Sequence, residues 1–221
     1  MVTLADSSPL EGLKDAELSK SDRRRQLILD TAREIFLKEG YAAASMSAIA
    51  ARVGGSKGTL YNYFRSKEEL FAAFMHDVCG KQAEAFLDHM PDLGEDPHGA
   101  LVEIGLGLCR LIMSPQVMAI SRLVVAESER FPELGQVFYE TGPQRGELRL
   151  SAHFERAIAQ GCLKPADTLM LARRFKSLCL GDLFDRRLWG VIPDPVPAEL
   201  EASISEAVTI FLAAFGTRPV V

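Results

Sequence analysis

The stretch from Ser45 to Leu70, SMSAIAARVGGSKGTLYNYFRSKEEL, constrains the fold of this chain more than any other segment. Ser45 can cap a short helix on which Met46, Ile49, Ala50 and Val53 form one apolar stripe. Gly54 and Gly55 then make a turn that tolerates positive φ. Ser56 can cap a second short helix reaching about Phe64, with Leu60 and Phe64 facing inward at an i, i+4 spacing. Ser66-Lys67-Glu68-Glu69 reads as a capping box, Ser66 paired with Glu69, that opens a longer helix. Leu70, Phe71, Phe74, Met75 and Val78 form the apolar face of that helix. Two short helices at a glycine turn, the second with small polar and aromatic tips, are the construction of a helix-turn-helix.

Net charge opposes a nucleic-acid partner only until it is mapped along the chain. The 221 residues carry a formal charge of −5. Residues 20–67 hold ten Lys/Arg against four Asp/Glu, a net of +6, whereas residues 68–221 carry −8 and residues 1–19 carry −3. A basic patch confined to the motif is the electrostatic footprint of a DNA-reading module on an acidic body. The apolar share of 48 % and charged share of 25 % fit a globular chain. Cys79, Cys109, Cys162 and Cys179 are far apart within apolar runs, without metal-like spacing, and read as buried reduced thiols. The first twenty residues do not resemble a signal peptide, and no apolar run approaches the roughly 20 residues of a membrane span. A cytoplasmic location is expected.

Residues 1–19 are polar and read as a flexible N-terminal segment. A helix starting near Ser21 or Asp22 carries Ile28, Ala32, Ile35 and Phe36 at helical spacing and stops at Gly40. Residues 20–66 thus form a three-helix DNA-binding head and residues 67–221 a helical body. In the body, Pro91-Asp92 to Pro97-His98-Gly99 reads as a loop, and Ala100–Ser114 as a helix buried on most sides. Helices follow over about Gln116–Arg130, Gln144–Gln160, Asp167–Trp189 and Ala198–Phe215, with breaks at Phe131-Pro132 and Gly142-Pro143. The segment IPDPVP, residues 192–197, is a rigid extended link. No strand alternation occurs, so the fold class is all-α with about nine helices.

A recognition helix must present tips to bases and flanks to phosphates. Thr59, Tyr61, Asn62 and Tyr63 lie around its outward arc, and Gly58 lets the backbone approach the groove. Thr59 offers a hydroxyl and a methyl, suited to a thymine methyl or a base edge. Lys57 and Lys67 bracket the helix and can neutralise phosphates, joined by Ser45, Ser47 and Ser56 at the helix starts.

These residues resemble the tetracycline-repressor (TetR) family. The likeness rests on IL..A...F...G at Ile28–Gly40, IA..VG.SKGTLY.YF at Ile49–Phe64 and SKEEL at Ser66–Leu70. It implies a homodimeric transcriptional repressor in which Lys57, Thr59, Tyr61, Tyr63 and Lys67 touch operator DNA and Arg24 lies near phosphates. It also implies that the helix from Ser66 links the head to a ligand-binding body. One departure is Gly55, where an apolar residue is commoner, which should loosen the turn slightly. The last two long helices resemble the pair that forms the family's four-helix dimer bundle, placing Phe184, Leu188, Leu200, Ile204, Val208 and Phe211 at the interface.

Phe71, Met75, Cys79, Leu106, Cys109, Met113, Phe138 and Phe175 form an aromatic and Met-rich set suited to an adaptable apolar cavity. An apolar effector there would displace the linking helix and change the spacing of two recognition helices, which must lie about 34–36 Å apart or a multiple of it. A same-fold activator or ligand-independent regulator is the alternative, and an all-helical enzyme or carrier a third. Nothing supports catalysis: GGSKGT (residues 54–59) lacks the phosphate-loop spacing, and His76, His89, His98 and His153 show no metal pairing. Asp182 with Asp185 reads as a solvated face, and Arg186-Arg187 as a charge pair at a helix C-terminus. Neither a cofactor nor a metal is expected.

Overall fold

Ser19 starts the first helix by accepting the Asp22 N–H on its hydroxyl at 3.1 Å, so α1 (Lys20–Glu39) begins slightly before the Ser21 or Asp22 start expected. The computed structural model describes residues 19–218, leaving nearly all of the expected flexible segment 1–19 outside the described residues. After α1 come α2 (Met46–Val53), α3 (Lys57–Tyr63) and α4 (Lys67–Met75). A π-helical turn (His76–Gly80) joins α4 to α5 (Lys81–Asp88). The body continues through α6 (Pro97–Ile112), α7 (Pro115–Glu127), α8 (Pro132–Thr141), α9 (Pro143–Ala159), α10 (Thr168–Leu188) and α11 (Pro197–Phe215). Among the described residues there is no strand, only an isolated bridge between Leu163 and Gly216 that ties the end of α11 to the α9–α10 link. No single helix there is long and apolar enough to cross a membrane.

Proline sets most of the body's helix starts. Five helices begin on one, at Pro97, Pro115, Pro132, Pro143 and Pro197, where the missing N–H is unneeded and the fixed φ suits the first turn. Residues 97–99 are therefore helical rather than loop, with Asp96 accepting the Gly99 N–H at 2.9 Å. Two segments raise the helix count above nine. The Phe131-Pro132 and Gly142-Pro143 breaks bound a helix of their own, α8, and the linking helix is divided by its π-turn.

Two apolar clusters hold the molecule together. Phe36, Tyr41, Phe71 and Phe74 interlock with ring centroids 5.4–6.0 Å apart. Ile28, Ile49 and Leu60 from the head join this cluster, as do Ile120, Val124 and Leu134 from α7 and α8. The head is thus seated on the body by a shared core, the kind of burial that dominates stability. The second cluster centres on Phe154, Phe175 and Phe211, from α9, α10 and α11. Helix α6 runs through it on small residues: a β-carbon on Gly105 would lie 2.8 Å from Ile204 Cγ2 and 3.1 Å from Cys179 Sγ. On Gly107 it would lie 2.2 Å from the Phe86 ring of α5. Both glycines are thus close-packing positions. Helix α10 departs from helical backbone once, at Gly181, where φ is 48°.

Candidate nucleic-acid interface

Three serine caps set the motif. Ser45 Oγ accepts from the Ala48 N–H, Ser56 Oγ from the Thr59 N–H and Ser66 Oγ from the Glu69 N–H, each at 3.1 Å. The capping box is only half formed, because the Glu69 carboxylate accepts from the Arg65 N–H at 2.7 Å instead of reaching back to Ser66. Gly54 closes α2 in the left-handed region, φ 72° and ψ 54°, which Gly adopts without strain. Leu60 and Phe64 are buried and anchor α3. Tyr61 stands 40 % exposed, large enough to insert between groove walls. Lys57, Gly58 and Asn62 are exposed, as are Ser45, Ser47 and Ser56. The Lys57 ammonium lies 5.8 Å from the Tyr61 ring centroid. The Thr59 hydroxyl is half-buried and bonded to Ser56 Oγ at 2.9 Å, which fixes the rotamer that turns its methyl. Tyr63 is half-buried and packs on the head core, with less freedom to reach outward.

Two of the expected phosphate contacts lie elsewhere. The Arg24 guanidinium donates to the carbonyls of Val53 at 3.3 Å and Gly54 at 3.2 Å, clamping the turn from α1. A β-carbon on residue 55 would fall 2.5 Å from Arg24 Nη2, so Gly55 makes room for this clamp and does not loosen the turn. Lys67 donates to the Tyr41 carbonyl at 2.9 Å, and its ammonium lies 3.9 Å from the Tyr41 ring centroid and 5.1 Å from that of Phe131. Burial draws its pKa below the ordinary lysine value. Lys67 therefore bolts the head to the α7–α8 corner. Its place at the first turn of an amphipathic helix gave no sign of this, because Tyr41 and Phe131 are distant in sequence. Arg65, exposed directly after α3, is a further cation beside the motif that the sequence reading missed.

The candidate effector residues divide between the two clusters. Phe71 and Met75 are buried in the head-side core, and Phe138 packs against it. Phe175 is buried in the body core. The side chain of Cys79 lies outside the described residues. Leu106, Cys109 and Met113 do come together, on the wall of a cavity of about 310 Å³. Its other walls include Pro115 at the start of α7, and Asp194 and Leu200 around the start of α11. None of the described side chains of the linking helix contributes. Burial pushes the Cys109 thiol up to about 12, so it is an apolar wall rather than a nucleophile.

The dimer positions also need correction. Ile204, Val208 and Phe211 are fully buried in the chain's own core and Leu200 nearly so, whereas Phe184 and Leu188 are half-buried against it. Ala202, Glu206, Ile210 and Ala213 are among the exposed positions of α11, with Ile210 50 % exposed. Arg187 was misread as well. It continues the buried i, i+4 stripe Leu171, Phe175, Cys179 and Leu183, and only 6 % of it is exposed. That spacing was the available signal.

Comparison with known proteins agrees with this geometry. A model described as bacterial regulatory proteins, tetR family, matches residues 28–74. One described as AefR-like transcriptional repressor, C-terminal domain, matches residues 99–217. The chain is 26 % identical over 191 residues to the HTH-type transcriptional regulator YhgD of Bacillus subtilis (strain 168), covering 83 % of this chain and 93 % of that one. It is 40 % identical over 70 residues to the HTH-type transcriptional activator FasR of Mycolicibacterium smegmatis, 32 % of either chain. Among solved structures it is similar to the flavonoid-responsive regulator FrrA, with a TM-score of 0.76 and 32 % identity over 89 % of this chain and 98 % of FrrA.

Proposed function

Because the chain belongs to the tetR family of bacterial transcriptional regulators, we propose that it represses by holding operator DNA as a homodimer and lets go when a small apolar effector enters its body. Tyr61, Asn62 and the Thr59 methyl read the groove, and Lys57, Arg65 and the amides behind Ser45 and Ser56 grip phosphates. The outward face of α11, with Ala202, Ile210 and Ala213, meets its copy across a two-fold axis. Repression agrees with the description of the C-terminal family, and a small-molecule effector with the printed name of FrrA.

The observation that carries the switch is the course of α7. Its first residue, Pro115, lines the cavity, and the Glu127 carboxylate at its far end accepts from the Ala42 N–H at 3.4 Å, on the loop after α1. Just beyond, the Phe131 ring meets Tyr41 at 5.3 Å and overlies Lys67. An occupant that shifts the start of α7 therefore moves the head's seat, and α4 follows through the core it shares with Ile120. A coupling of about 1–3 kcal/mol suffices for a useful response.

Fluorescence anisotropy with the DNA flanking its own gene tests this reading. Saturable, sequence-dependent binding that weakens on addition of an effector is expected. Binding that no compound class alters would leave a ligand-independent regulator. The FasR match favours an activator as the second reading, which a transcription assay separates by sign.

A further inference from the structure

The cavity beside α7 contains a charge arrangement that its apolar walls do not require. Asp194 is the one carboxylate among the described residues lining it, and its side chain is 72 % exposed on the proline-rich strap before α11. Its partner is Arg187, whose side chain is only 7 % exposed, with 2.6 Å between Nη2 and Oδ1. Arg187 Nε also donates to the carbonyl of Met113, another lining residue, at 2.8 Å. The guanidinium thus stands just behind the wall, fixed between two residues that face the cavity. Arg110, exposed, lines the same space and brings a second guanidinium to it.

A guanidinium stays charged at any accessible pH and, once buried, requires an anionic partner. Here that partner hangs on an exposed strap, where water competes for its carboxylate. Leu106, Cys109, Met113 and Leu200 supply an apolar floor next to this charged corner. A volume of about 310 Å³ is at the low end for small-molecule sites, roughly 300–1,000 Å³, and suits a compact ligand.

We propose that this cavity binds a small apolar monocarboxylate, whose carboxylate replaces that of Asp194 on Arg187 and is met by Arg110 at the mouth while its hydrocarbon part lies on Leu106, Met113 and Leu200. The inference rests on the effector reading above and gives that effector a chemical class. A planar carboxylate can take the Arg187 fork in two parallel bonds. A neutral isostere leaves the Arg187–Asp194 pair intact and gains only the floor.

The chain provides its own reporter, because Trp189 is its single tryptophan, lies two residues after Arg187 and is 73 % exposed. Titration of the full-length protein with benzoate, phenylacetate and hexanoate, against the corresponding amides, is followed by Trp189 fluorescence and calorimetry. At least one acid should bind saturably and about tenfold or more tighter than its amide. Asp194→Asn removes the competing carboxylate and should tighten that acid severalfold while leaving its amide unchanged. Arg110→Gln should weaken the acid alone. Because Asp194→Asn leaves the buried Arg187 without its anionic partner, thermal unfolding confirms that this variant is folded before it is titrated, and Arg110→Gln, at an exposed position outside that pair, carries the test if it is not. Equal binding of acid and amide, no binding of any acid, or an acid affinity that Asp194→Asn fails to raise would each overturn the assignment. DNA anisotropy run beside the titration separates the two readings. An acid that binds as described yet leaves DNA affinity unchanged defeats the effector role alone, and a neutral compound that releases DNA while no acid binds defeats the ligand class alone.

Discussion

The guanidinium of Arg24 occupies the space that a β-carbon on residue 55 would need. Two carbonyls at the end of α2 receive its hydrogen bonds, and the nearest nitrogen lies 2.5 Å from that ideal β-carbon position. Gly55 and Arg24 therefore work as one unit. Gly55→Ala should displace the arginine and lower stability by about 1 kcal/mol, near the net worth of a hydrogen bond. Arg24→Ala should cost a similar amount, and the double variant little more than either. Urea unfolding of the three variants checks this, and strictly additive losses would show that the two positions are independent.

Lys67 lies between Tyr41 and Phe131, so Lys67→Met is expected to act on stability and not on phosphate binding. A loss of about 0.5–2 kcal/mol follows from the cation–π contacts. The slope of DNA affinity against salt should be that of the unmodified protein. A slope reduced by about one unit would return Lys67 to the phosphates.

Tyr61→Ala should weaken specific binding by about 1–3 kcal/mol and leave non-specific binding unchanged. Lys57→Ala should lower affinity for all sequences alike and reduce the salt slope by about one. Competition anisotropy with a scrambled duplex distinguishes the two outcomes.

A methyl group on Gly107 meets the Phe86 ring at 2.2 Å. Gly107→Ala should push the ring out of its notch at a cost of about 1–3 kcal/mol, the usual range for overpacking. Phe86→Leu, which shortens the side chain, should recover part of that loss. Thermal unfolding of the single and double variants reads the effect, and a neutral Gly107→Ala would mean that α5 is not seated there.

Glu147 is buried, and burial works to raise its pKa. The bonds from Lys176 and from Arg173, the latter at 3.0 Å, outweigh this and hold the carboxyl below its ordinary value of 4.5. The folded chain thus keeps this carboxylate charged to lower pH than the unfolded chain does. The stabilisation is complete above the ordinary value and is lost as pH falls through the folded one. Glu147→Gln should lower stability at neutral pH and flatten the acid side of the stability curve. An unchanged acid limb would remove Glu147 as its source.

What the sequence revealed depended on how local each signal was. The caps at Ser45, Ser56 and Ser66, the Gly54 turn and the inward Leu60 and Phe64 are interactions within a few residues, and all were readable. The roles of Lys67 and Arg24 were not, because their partners are Tyr41 and Phe131 in one case and Val53 and Gly54 in the other. The same applies to the effector set, where Phe71 and Phe175 share apolarity but belong to different cores. On α11 the apolar stripe was found correctly and its direction misjudged. A stripe of Ile204, Val208 and Phe211 fits a partner as well as a core until the packing of α6 and α10 is known.

The wide turn at His76–Gly80 has a consequence for how the chain can change length. Helical backbone persists on both sides of it, with φ −63° at His76 and −61° at Gly80. A turn of this type takes up about one residue more than an α-helical turn, and each residue rotates the chain by about 100°. It therefore sets the phase between Phe71 in the first apolar cluster and Phe86, packed against the second. Loss of one residue there would let the strut wind evenly and swing Phe86 away from its keyway on Gly107. The strut can accordingly lengthen or shorten only by steps that restore this gearing.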